Sequence, residues 1–452
     1  MEDTIAAIAT PLGVGSLAVI RLSGKTSLQV ADAVFRGKKG RPSGYRTHTV
    51  HCGMIEDEGE RLDEALLTVM RAPNSYTKED VVEISCHGGM LSARRILDAV
   101  TRHGARLALP GEFTRRAFLN GRIDLTQAEA VLDIIGAQTE GAHIAAVAQL
   151  GGHLHRRLDK LYQHLANSLA HVEAHIDFPE EDIAPATRES LVQQITDACA
   201  FQESLSRTAR DGKVLREGVR TIIVGKPNVG KSSLLNALLG HDRAIVSSMP
   251  GTTRDTIEEV ASIEGIPLRI MDTAGLRNSD NEVEEEGVRR ARTHLQAAEL
   301  VLLVLDSSRR LDNTDRELVA TCKEKPLIVV LNKKDLGQVV DGNYLRDVTT
   351  CTTSLKTGEG LQTLRQTISM HLWQGKTRES FREIFINARH QEALQRAGAA
   401  LAKTLEALRE RKSFEFVAAD LRTALQAIGE LNGKSVTDDV LDRVFSNFCI
   451  GK

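Results

Sequence analysis

The feature that most constrains this chain is GKPNVGKS, a segment that runs from Gly225 to Ser232. It matches the pattern GxxxxGK[ST], follows the apolar run TIIV and precedes the helical pattern SLLNALLG. In such a strand–loop–helix unit the loop N–H groups cradle phosphates, the lysine reaches the β and γ oxygens, and the hydroxyl ligates Mg²⁺. A Gly-rich turn could match by chance, but the flanking strand and helix disfavour that alternative. The segment therefore predicts a P-loop in which Lys231 and Ser232 take these roles.

Four further segments follow in the chain order of a GTPase: GTTRD at 251–255, DTAG at 272–275, NKKD at 332–335 and SLK at 354–356. Asp272 ends an apolar run, as a carboxylate that holds the Mg²⁺ shell must, and Gly275 offers an amide to the γ-phosphate. A carboxylate at Asp335 can accept the N1–H and the exocyclic amine of guanine, a donor pair that adenine lacks. The segments together predict a GTP site.

One departure from the Ras-like pattern concerns hydrolysis. Ras-like enzymes place a water-orienting Gln directly after DTAG, and this chain has Leu276 there. Another polar group or a cation must then assist hydrolysis in place of that Gln. The side-chain oxygen of Asn228 could hold a monovalent ion that neutralises charge as an arginine finger does. An Asn favoured only by turn geometry explains the same residue equally well.

The hydrophobic pattern divides the 452 residues into four parts, consistent with a chain about three times the usual domain size. Short β-rich runs and one helical stretch predict an α/β domain over residues 1–119. Helical periodicity covers 120–217 and returns over 376–452, while apolar strands alternate with helices over 218–375. That alternation is typical of a doubly wound sheet. The expected architecture is multidomain α/β, in which a Ras-like P-loop domain interrupts a helical domain.

Composition excludes several other classes of protein. No apolar run approaches the ~20 residues of a membrane helix, and the acidic start MEDTIAAIATPLG has no signal-peptide pattern, so we expect a cytoplasmic protein. The six cysteines are widely spaced without a CxxC pair, which argues against disulfides and zinc knuckles. The net charge is −3. Contact with RNA must therefore be local or shared with a partner.

Three segments carry a family resemblance: DTAGLR at 272–277, GEFTRRAFLNGRIDLTQAEA at 111–130, and the terminal CIGK at 449–452. Together with the domain order, Asn228 and GTTRD, they resemble the tRNA-modification GTPase MnmE (TrmE) family over essentially the whole chain. Ordinary GTPases carry neither the GEFT…RAFLNG stretch nor the CIGK tail. These two segments are the most specific part of the resemblance.

The resemblance implies an activity, cofactors and partners. Members of this family form homodimers through the N-terminal domain, which binds a reduced folate (5-formyl- or 5,10-methylene-tetrahydrofolate). They hydrolyse GTP with K⁺ and Mg²⁺ when their G domains meet. With the flavoprotein MnmG, in a heterotetramer, they add a carboxymethylaminomethyl or aminomethyl group to C5 of the wobble uridine, U34, of certain tRNAs. No membrane association is implied.

The resemblance also implies functional residues at matching positions. GTP contacts fall in the P-loop, in the loop after it, in DTAG and in the base-binding segments: Asn228, Val229, Gly230, Lys231, Ser232, Ser233, Ser247, Ser248, Met249, Pro250, Gly251, Thr252, Thr253, Asp272, Thr273, Ala274, Gly275, Asn332, Asp335 and Ser354. The implied Mg²⁺ ligands are Ser232 and Thr253, and the implied K⁺ ligands are Asn228, Ser247, Met249 and Thr252. The implied folate residues are Arg21, Glu83, Arg122 and Lys452. Glu284 would position the attacking water, and Cys449 would supply a catalytic thiol.

Simpler explanations compete with several of these roles. Glu284 lies in NSDNEVEEEG, where a solvated acidic helix start explains all four glutamates. Arg21 and Glu83 could be ordinary surface residues, and Arg122 stands where the family often has Lys. Cys449 could be a small apolar residue near a helix end.

Two other functions also fit the GTPase motifs. A regulatory GTPase switch, for example in ribosome assembly, would need neither a folate site nor the CIGK tail. A folate-dependent transferase that merely hosts a GTPase would turn over without GTP. Among the three functions, the N-terminal domain and the tail favour the modifying GTPase.

Overall fold

The computed structural model describes residues 3–38, 40–177, 185–240, 258–271, 295–340, 342–373 and 386–452. Its strands are β1 (Thr4–Ile8), β2 (Leu17–Ser23), β3 (Phe35–Gly37), β4 (Thr49–Asp57), β5 (Glu60–Met70), β6 (Val81–His87), β7 (Ala105–Leu107), β8 (Val219–Val224), β9 (Glu258–Ile263), β10 (Ile266–Met271), β11 (Leu300–Asp306), β12 (Leu327–Asn332) and β13 (Thr349–Thr352).

The helices fall between and after these strands: α1 (Ser27–Val34), α2 (Met90–Arg102), α3 (Glu112–Leu119), α4 (Leu125–Gly136), α5 (Glu140–Leu150), α6 (His153–Asp177), α7 (Pro185–Ser206), α8 (Ala209–Glu217), α9 (Lys231–Leu239), α10 (Asn313–Cys322), α11 (Leu361–Trp373), α12 (Ala388–Arg409), α13 (Phe414–Asn432) and α14 (Asp438–Phe445). Short 3₁₀ turns lie at Pro42–Gly44, Lys334–Leu336 and Gly342–Leu345. The apolar strands predicted to alternate with helices in the P-loop domain are found at β8, β10, β11 and β12, and the α/β fold class is confirmed.

The chain forms two compact units. The first comprises Met1–Leu132, His155–Ala166 and Leu425–Lys452. Its seven-stranded sheet has the order β3-β4-β5-β6-β2-β1-β7, with antiparallel pairs except between β1 and β7. Alternation along β2 buries Ile20 and Leu22 in the core that α1 and α2 cover, and it turns Arg21 to the other face. The fold thus places polar side chains on that face of the sheet.

The second unit comprises Asp133–Leu154 and Asn167–Ala424. Its six-stranded sheet has the order β13-β12-β11-β8-β10-β9, and every pair is parallel except β9 with β10. All seven residues of β11 are buried, because alternate side chains pack into hydrophobic clusters on the two faces of the sheet. The order reverses beside β8, so the loop after β8 opens at the switch point where such sheets bind ligands.

Helices dominate the rest of the second unit. Helix α7 packs along α12, and Gln202 donates from its side chain to the Leu394 carbonyl at 2.8 Å. Within the part of the chain that the structure describes, no helix combines the length and the apolar character needed to cross a membrane.

Candidate nucleotide and anion sites

The P-loop connects β8 to α9, as its sequence context predicts. Lys231 begins α9, and its ammonium donates to the carbonyl oxygens of Gly225 at 2.8 Å and Lys226 at 2.6 Å. Gly230 has a φ of +109°, and a Cβ there would collide with the side-chain amide of Asn332. A glycine is therefore required where the loop passes the base-binding segment. The loop has the curvature that brings backbone N–H groups to a phosphate.

Asn228 lies at the tip of this loop, with an exposed side chain and a φ of +60°. Asn is one of the few residues other than glycine that adopt this left-handed conformation readily. Turn geometry alone therefore accounts for an Asn here, and the exposed side chain also leaves its oxygen accessible to a cation.

The base-binding segments meet behind the P-loop. The Asn332 amide donates to the Val229 carbonyl at 2.8 Å, and its side-chain oxygen accepts the Leu355 N–H at 3.1 Å. Asn332 thus ties the P-loop to the SLK segment. This contact uses the backbone N–H of Leu355, so it does not depend on the side chain at that position.

Asp335 and Ser354 lie on the same side of this pocket. The Ser354 hydroxyl, which is fully buried, donates to a carboxylate oxygen of Asp335 at 2.7 Å. The Asp335 side chain is exposed, and the Ser354 hydroxyl orients it. An oriented carboxylate at this position can accept both donors of a guanine edge.

Lys226 and Lys333, to which no motif assigns a role, anchor these loops through ion pairs. Lys226 pairs with Asp312 and, at 3.0 Å, with Asp315 in the first turn of α10. Lys333, in the left-handed region at φ +68°, donates to Asp306 at 2.7 Å. Burial alone would raise the pKa of Asp306, but hydrogen bonds from Lys333 and Ser308 outweigh that effect and lower it. These three carboxylates end a strand or begin a helix, which is the sequence signal that could have identified them.

The other predicted residues of this site lie outside the described ranges. They are Ser247, Ser248, Met249, Pro250, Gly251, Thr252, Thr253, Asp272, Thr273, Ala274, Gly275, Leu276 and Glu284. Their roles therefore stay predictions. Ser232 and Ser233 are in the first turn of α9, with Ser232 partly buried beside the phosphate-facing end.

A second cluster of polar groups lies in the first unit. Arg21 and Glu83 are direct neighbours across the antiparallel pair β2–β6, and the Arg21 Nε donates to Glu83 Oε1 at 2.7 Å. The Arg21 Nη1 donates to the carbonyl of Gly451 at 3.2 Å. The strand pair and the C-terminal tail therefore meet at Arg21, although Arg21 and Gly451 are 430 positions apart in the sequence.

Tyr76 joins Arg122 to this cluster. The Arg122 guanidinium lies 4.8 Å from the centre of the Tyr76 ring, and that of Arg21 lies 5.9 Å from it. The Tyr76 hydroxyl is 3.0 Å from the hydroxyl of Thr114. Sequence reasoning missed Tyr76, since only its proximity to both guanidinium groups makes it notable.

Lys452 completes the set. Burial lowers the pKa of its ammonium, and the positive charge of Arg21 adds to that effect, while Glu83 and Cys449 act in the opposite direction. All four predicted folate residues are thus brought together. They comprise three cationic side chains and one carboxylate. Such a group can hold an anion through the cations and a donor-rich ring edge through Glu83.

Cys449 lies beyond the end of α14, directly after the buried Phe448. The side chain of Cys449 is exposed. A thiol that packs as a small apolar residue would be buried. Exposure leaves the Cys449 thiol open to a substrate or a reagent.

Comparisons with known proteins cover the whole chain. A family model described as the MnmE helical domain matches residues 125–449, and one described as the GTP-binding protein TrmE N-terminus matches residues 4–122. Three curated relatives of this chain carry the name tRNA modification GTPase MnmE. Those of Clostridioides difficile (strain 630), Bacillus subtilis (strain 168) and Geobacter sulfurreducens are 45%, 43% and 46% identical, and each alignment covers 100% of both chains.

Among solved structures, the G domain of the T. maritima FeoB iron transporter is 30% identical over 34% of this chain and 98% of that chain. Its TM-score of 0.26 adds nothing to the fold assignment, which stands on the sheet order of the second unit.

Proposed function

The chain belongs to the tRNA modification GTPase MnmE family, and from this premise we propose that it hydrolyses GTP in the modification of the wobble uridine of tRNA. The observation that carries the proposal is the side chain of Asn332, which connects the P-loop to Leu355. With Asp335 and Ser354 beside it, this connection forms a guanine pocket next to a phosphate loop. The product would carry a carboxymethylaminomethyl or aminomethyl group at C5 of U34.

Modification of tRNA in a deletion strain tests this proposal directly. Wobble uridines should regain the C5 substituent when this gene is supplied and lack it without the gene, as measured by mass spectrometry of digested tRNA. A strain that stays unmodified although the protein is present and hydrolyses GTP would favour a regulatory GTPase instead.

Asp335→Asn should shift nucleotide preference from GTP toward XTP. The amide places a donor where guanine also presents donors, whereas xanthine presents a carbonyl that accepts one. Loss of a hydrogen bond to a charged group costs about 1.5–3 kcal/mol, so GTP affinity should fall ~10- to ~100-fold. Titration with fluorescent GTP and XTP measures both affinities.

The matched control for this variant is Asp347→Asn, which removes an exposed carboxylate of the second unit outside the pocket. That variant should bind GTP like wild type. Unchanged GTP affinity in Asp335→Asn would remove Asp335 from the base site.

The metal sites are part of the same proposal. Ser232 and Thr253 would ligate Mg²⁺, and Asn228, Ser247, Met249 and Thr252 would hold K⁺, which supplies positive charge beside the phosphates. Glu284 would position the attacking water. Among these residues, the exposed side chain of Asn228 at the tip of the P-loop supports the cation site.

GTP hydrolysis should be faster in K⁺ than in Na⁺. Leu276 has no polar group to orient the attacking water, so a bound cation must assist hydrolysis instead. An arginine finger in that role contributes about 10³- to 10⁵-fold, so a difference of at least ~10-fold is expected. Phosphate release in matched K⁺ and Na⁺ buffers measures it.

Asn228→Gly separates the two interpretations of this residue. Glycine keeps a φ of +60° without strain and removes the whole side chain, including the oxygen that would bind the cation. Loss of K⁺ stimulation in this variant supports the cation site, whereas retained stimulation would leave Asn228 as a turn residue.

A reduced folate, 5-formyl- or 5,10-methylene-tetrahydrofolate, is the proposed ligand of Arg21, Glu83, Arg122 and Lys452. The cluster holds three cationic side chains against one side-chain carboxylate, and burial together with the positive charge of Arg21 lowers the pKa of Lys452. An anionic ligand would relieve this excess of positive charge. Glu83 can meanwhile accept hydrogen bonds from a pterin edge, so the chemistry of the cluster fits both ends of a folate.

The partners and organisation are proposed on the same basis. The protein would form a homodimer through its N-terminal domain, act with the flavoprotein MnmG and reach tRNA through that complex in the cytoplasm. The four-part division at 1–119, 120–217, 218–375 and 376–452 is proposed as the functional one.

A further inference from the structure

A basic stretch lies at the edge of the sheet of the first unit. Between Asp32 and Glu56 the sequence has no acidic residue, whereas it has five basic ones: Arg36, Lys38, Lys39, Arg41 and Arg46. The whole chain carries a net charge of −3, so this stretch differs in sign from the average of the molecule. Contact of such a chain with RNA must be local, and a stretch of this composition is where it can occur.

Three of these cations have no carboxylate partner. Lys38, Arg41 and Arg46 are exposed, and none of their side chains forms an ion pair or a hydrogen bond with another described residue. Elsewhere in the first unit, by contrast, Arg106 and Arg116 both pair with carboxylates. Lys38, Arg41 and Arg46, called here the basic patch, therefore present positive charge that the protein itself does not neutralise.

Hydrogen bonds hold the backbone of the basic patch in place. The Tyr45 hydroxyl donates to the Gly40 carbonyl at 2.9 Å, and the Ser43 N–H donates to Asp32 at 2.8 Å. Arg71, which follows β5, donates to the Tyr45 carbonyl at 3.2 Å and to the Ser43 carbonyl at 2.5 Å. Asp32 is thus bound to the backbone of this segment and not to one of its cations. A segment braced in this way loses less conformational freedom when a ligand binds.

The basic patch exposes charge without an apolar anchor. Tyr45 is buried, and its ring stacks on that of His51 with 3.5 Å between the ring centres. The described residues between 36 and 48 expose no large apolar side chain. Protein interfaces are enriched in aromatic side chains at their centre, whereas phosphate backbones are held by Lys and Arg. The composition of the patch therefore favours a nucleic-acid backbone over a protein surface.

Protection of the sheet edge is the competing explanation for these cations. Strand β3 is an edge strand, and cations on an edge discourage pairing with another chain. Arg36 fits this explanation, since it lies within β3, where it also pairs with Glu56 at 3.6 Å. Lys38, Arg41 and Arg46 lie in the connection from β3 to β4, outside the paired strand. Edge protection therefore accounts for Arg36 but not for the basic patch.

We propose that Lys38, Arg41 and Arg46 form a surface that holds the phosphate backbone of tRNA. This inference rests on the proposed function, which supplies tRNA as the substrate. The planar guanidinium groups can each hold two oxygens of one phosphate, and the lysine adds a point charge. Such contacts contribute affinity and position the RNA without reading its bases.

Reversal of the three charges in the full-length protein, as Lys38→Glu/Arg41→Glu/Arg46→Glu, tests this surface. Each lost phosphate contact should flatten the dependence of log affinity on log salt by about 0.7–0.9, so the three together should flatten it by about 2–3. At ~0.15 M KCl the affinity for tRNA should fall ~10- to ~100-fold. Fluorescence anisotropy of labelled tRNA over a series of KCl concentrations measures both effects. K⁺-stimulated GTP hydrolysis should stay near wild type.

The matched control is Arg310→Glu/Lys323→Glu/Arg346→Glu, which reverses three exposed cations of the second unit and changes the net charge equally. It should bind tRNA like wild type. An equal loss in both variants would trace the effect to net charge and overturn the surface. Unchanged tRNA affinity in the patch variant would also overturn it, and loss of MnmG binding in that case would assign the patch to a protein partner.

Acetylation of the wild-type protein gives a test that needs no variant. Bound tRNA should protect Lys38 from acetylation and leave Lys323 as reactive as before, whereas an unprotected Lys38 would contradict the surface. The modification assay separates this inference from the proposed function. The patch variant should need more tRNA for half-maximal rate, with the rate at saturating tRNA retained. Wild-type protein that binds tRNA through the patch but modifies none would count against the proposed function and support the surface.

Discussion

Lys231→Ala should abolish GTP hydrolysis and tRNA modification together. Lys231 begins α9 and donates to two P-loop carbonyls, so its ammonium lies inside the loop where the β- and γ-phosphates would bind. Removing one preorganised donor to developing charge costs about 10²- to 10³-fold in rate. The loss should be larger here, because the deleted group is a full charge that also binds the ground state. Phosphate release and wobble-uridine analysis on the same preparation measure both effects.

Lys226→Ala is the matched control, since it removes the other lysine of the same loop. Its ammonium pairs with Asp312 and Asp315, so it holds the loop from outside the phosphate site. Hydrolysis and modification should both persist, with some loss of stability. If Lys231→Ala still modified tRNA, the GTPase would be an accessory to the reaction rather than its driver.

The fold of the second unit was predictable where strands are buried on both faces. The runs in β8, β10, β11 and β12 are nearly continuous in apolar residues, which a covered parallel sheet requires. The edge strands β9 and β13 were not identified, because EEVASI and TTCT carry charged or polar residues that an edge tolerates.

The nucleotide site followed from local motifs, whereas the anion cluster did not. A P-loop can be recognised from eight consecutive residues, because a single loop supplies the whole geometry of the phosphate site. Arg21 and Glu83 meet through strand register, and the tail reaches them only after the chain has returned from α14. Local patterns do not encode such long-range register, so the resemblance to a family, rather than the chemistry, identified those residues. Tyr76, which no motif marks, was found only from the structure.

Cys449→Ser should abolish tRNA modification while K⁺-stimulated GTP hydrolysis and reduced-folate binding stay near wild type. The exposed thiol lies beyond the end of α14, in the first unit, while the P-loop and the base pocket belong to the second. A serine is close to the thiol in size, so the backbone hydrogen bonds from Gly111 and Phe113 to the tail should remain. A hydroxyl is a far weaker nucleophile than a thiolate at neutral pH, so the chemical step alone should be lost.

The control for this variant is Cys52→Ser, which changes another exposed cysteine of the first unit. It should modify tRNA normally, which would show that the effect belongs to the tail and not to a general need for thiols. A Cys449→Ser protein that still modifies tRNA would restrict the tail to holding Lys452 near Arg21 and Glu83. Loss of modification with intact hydrolysis would instead separate the two activities. GTP turnover in the second unit would then have to be coupled to the chemistry in the first.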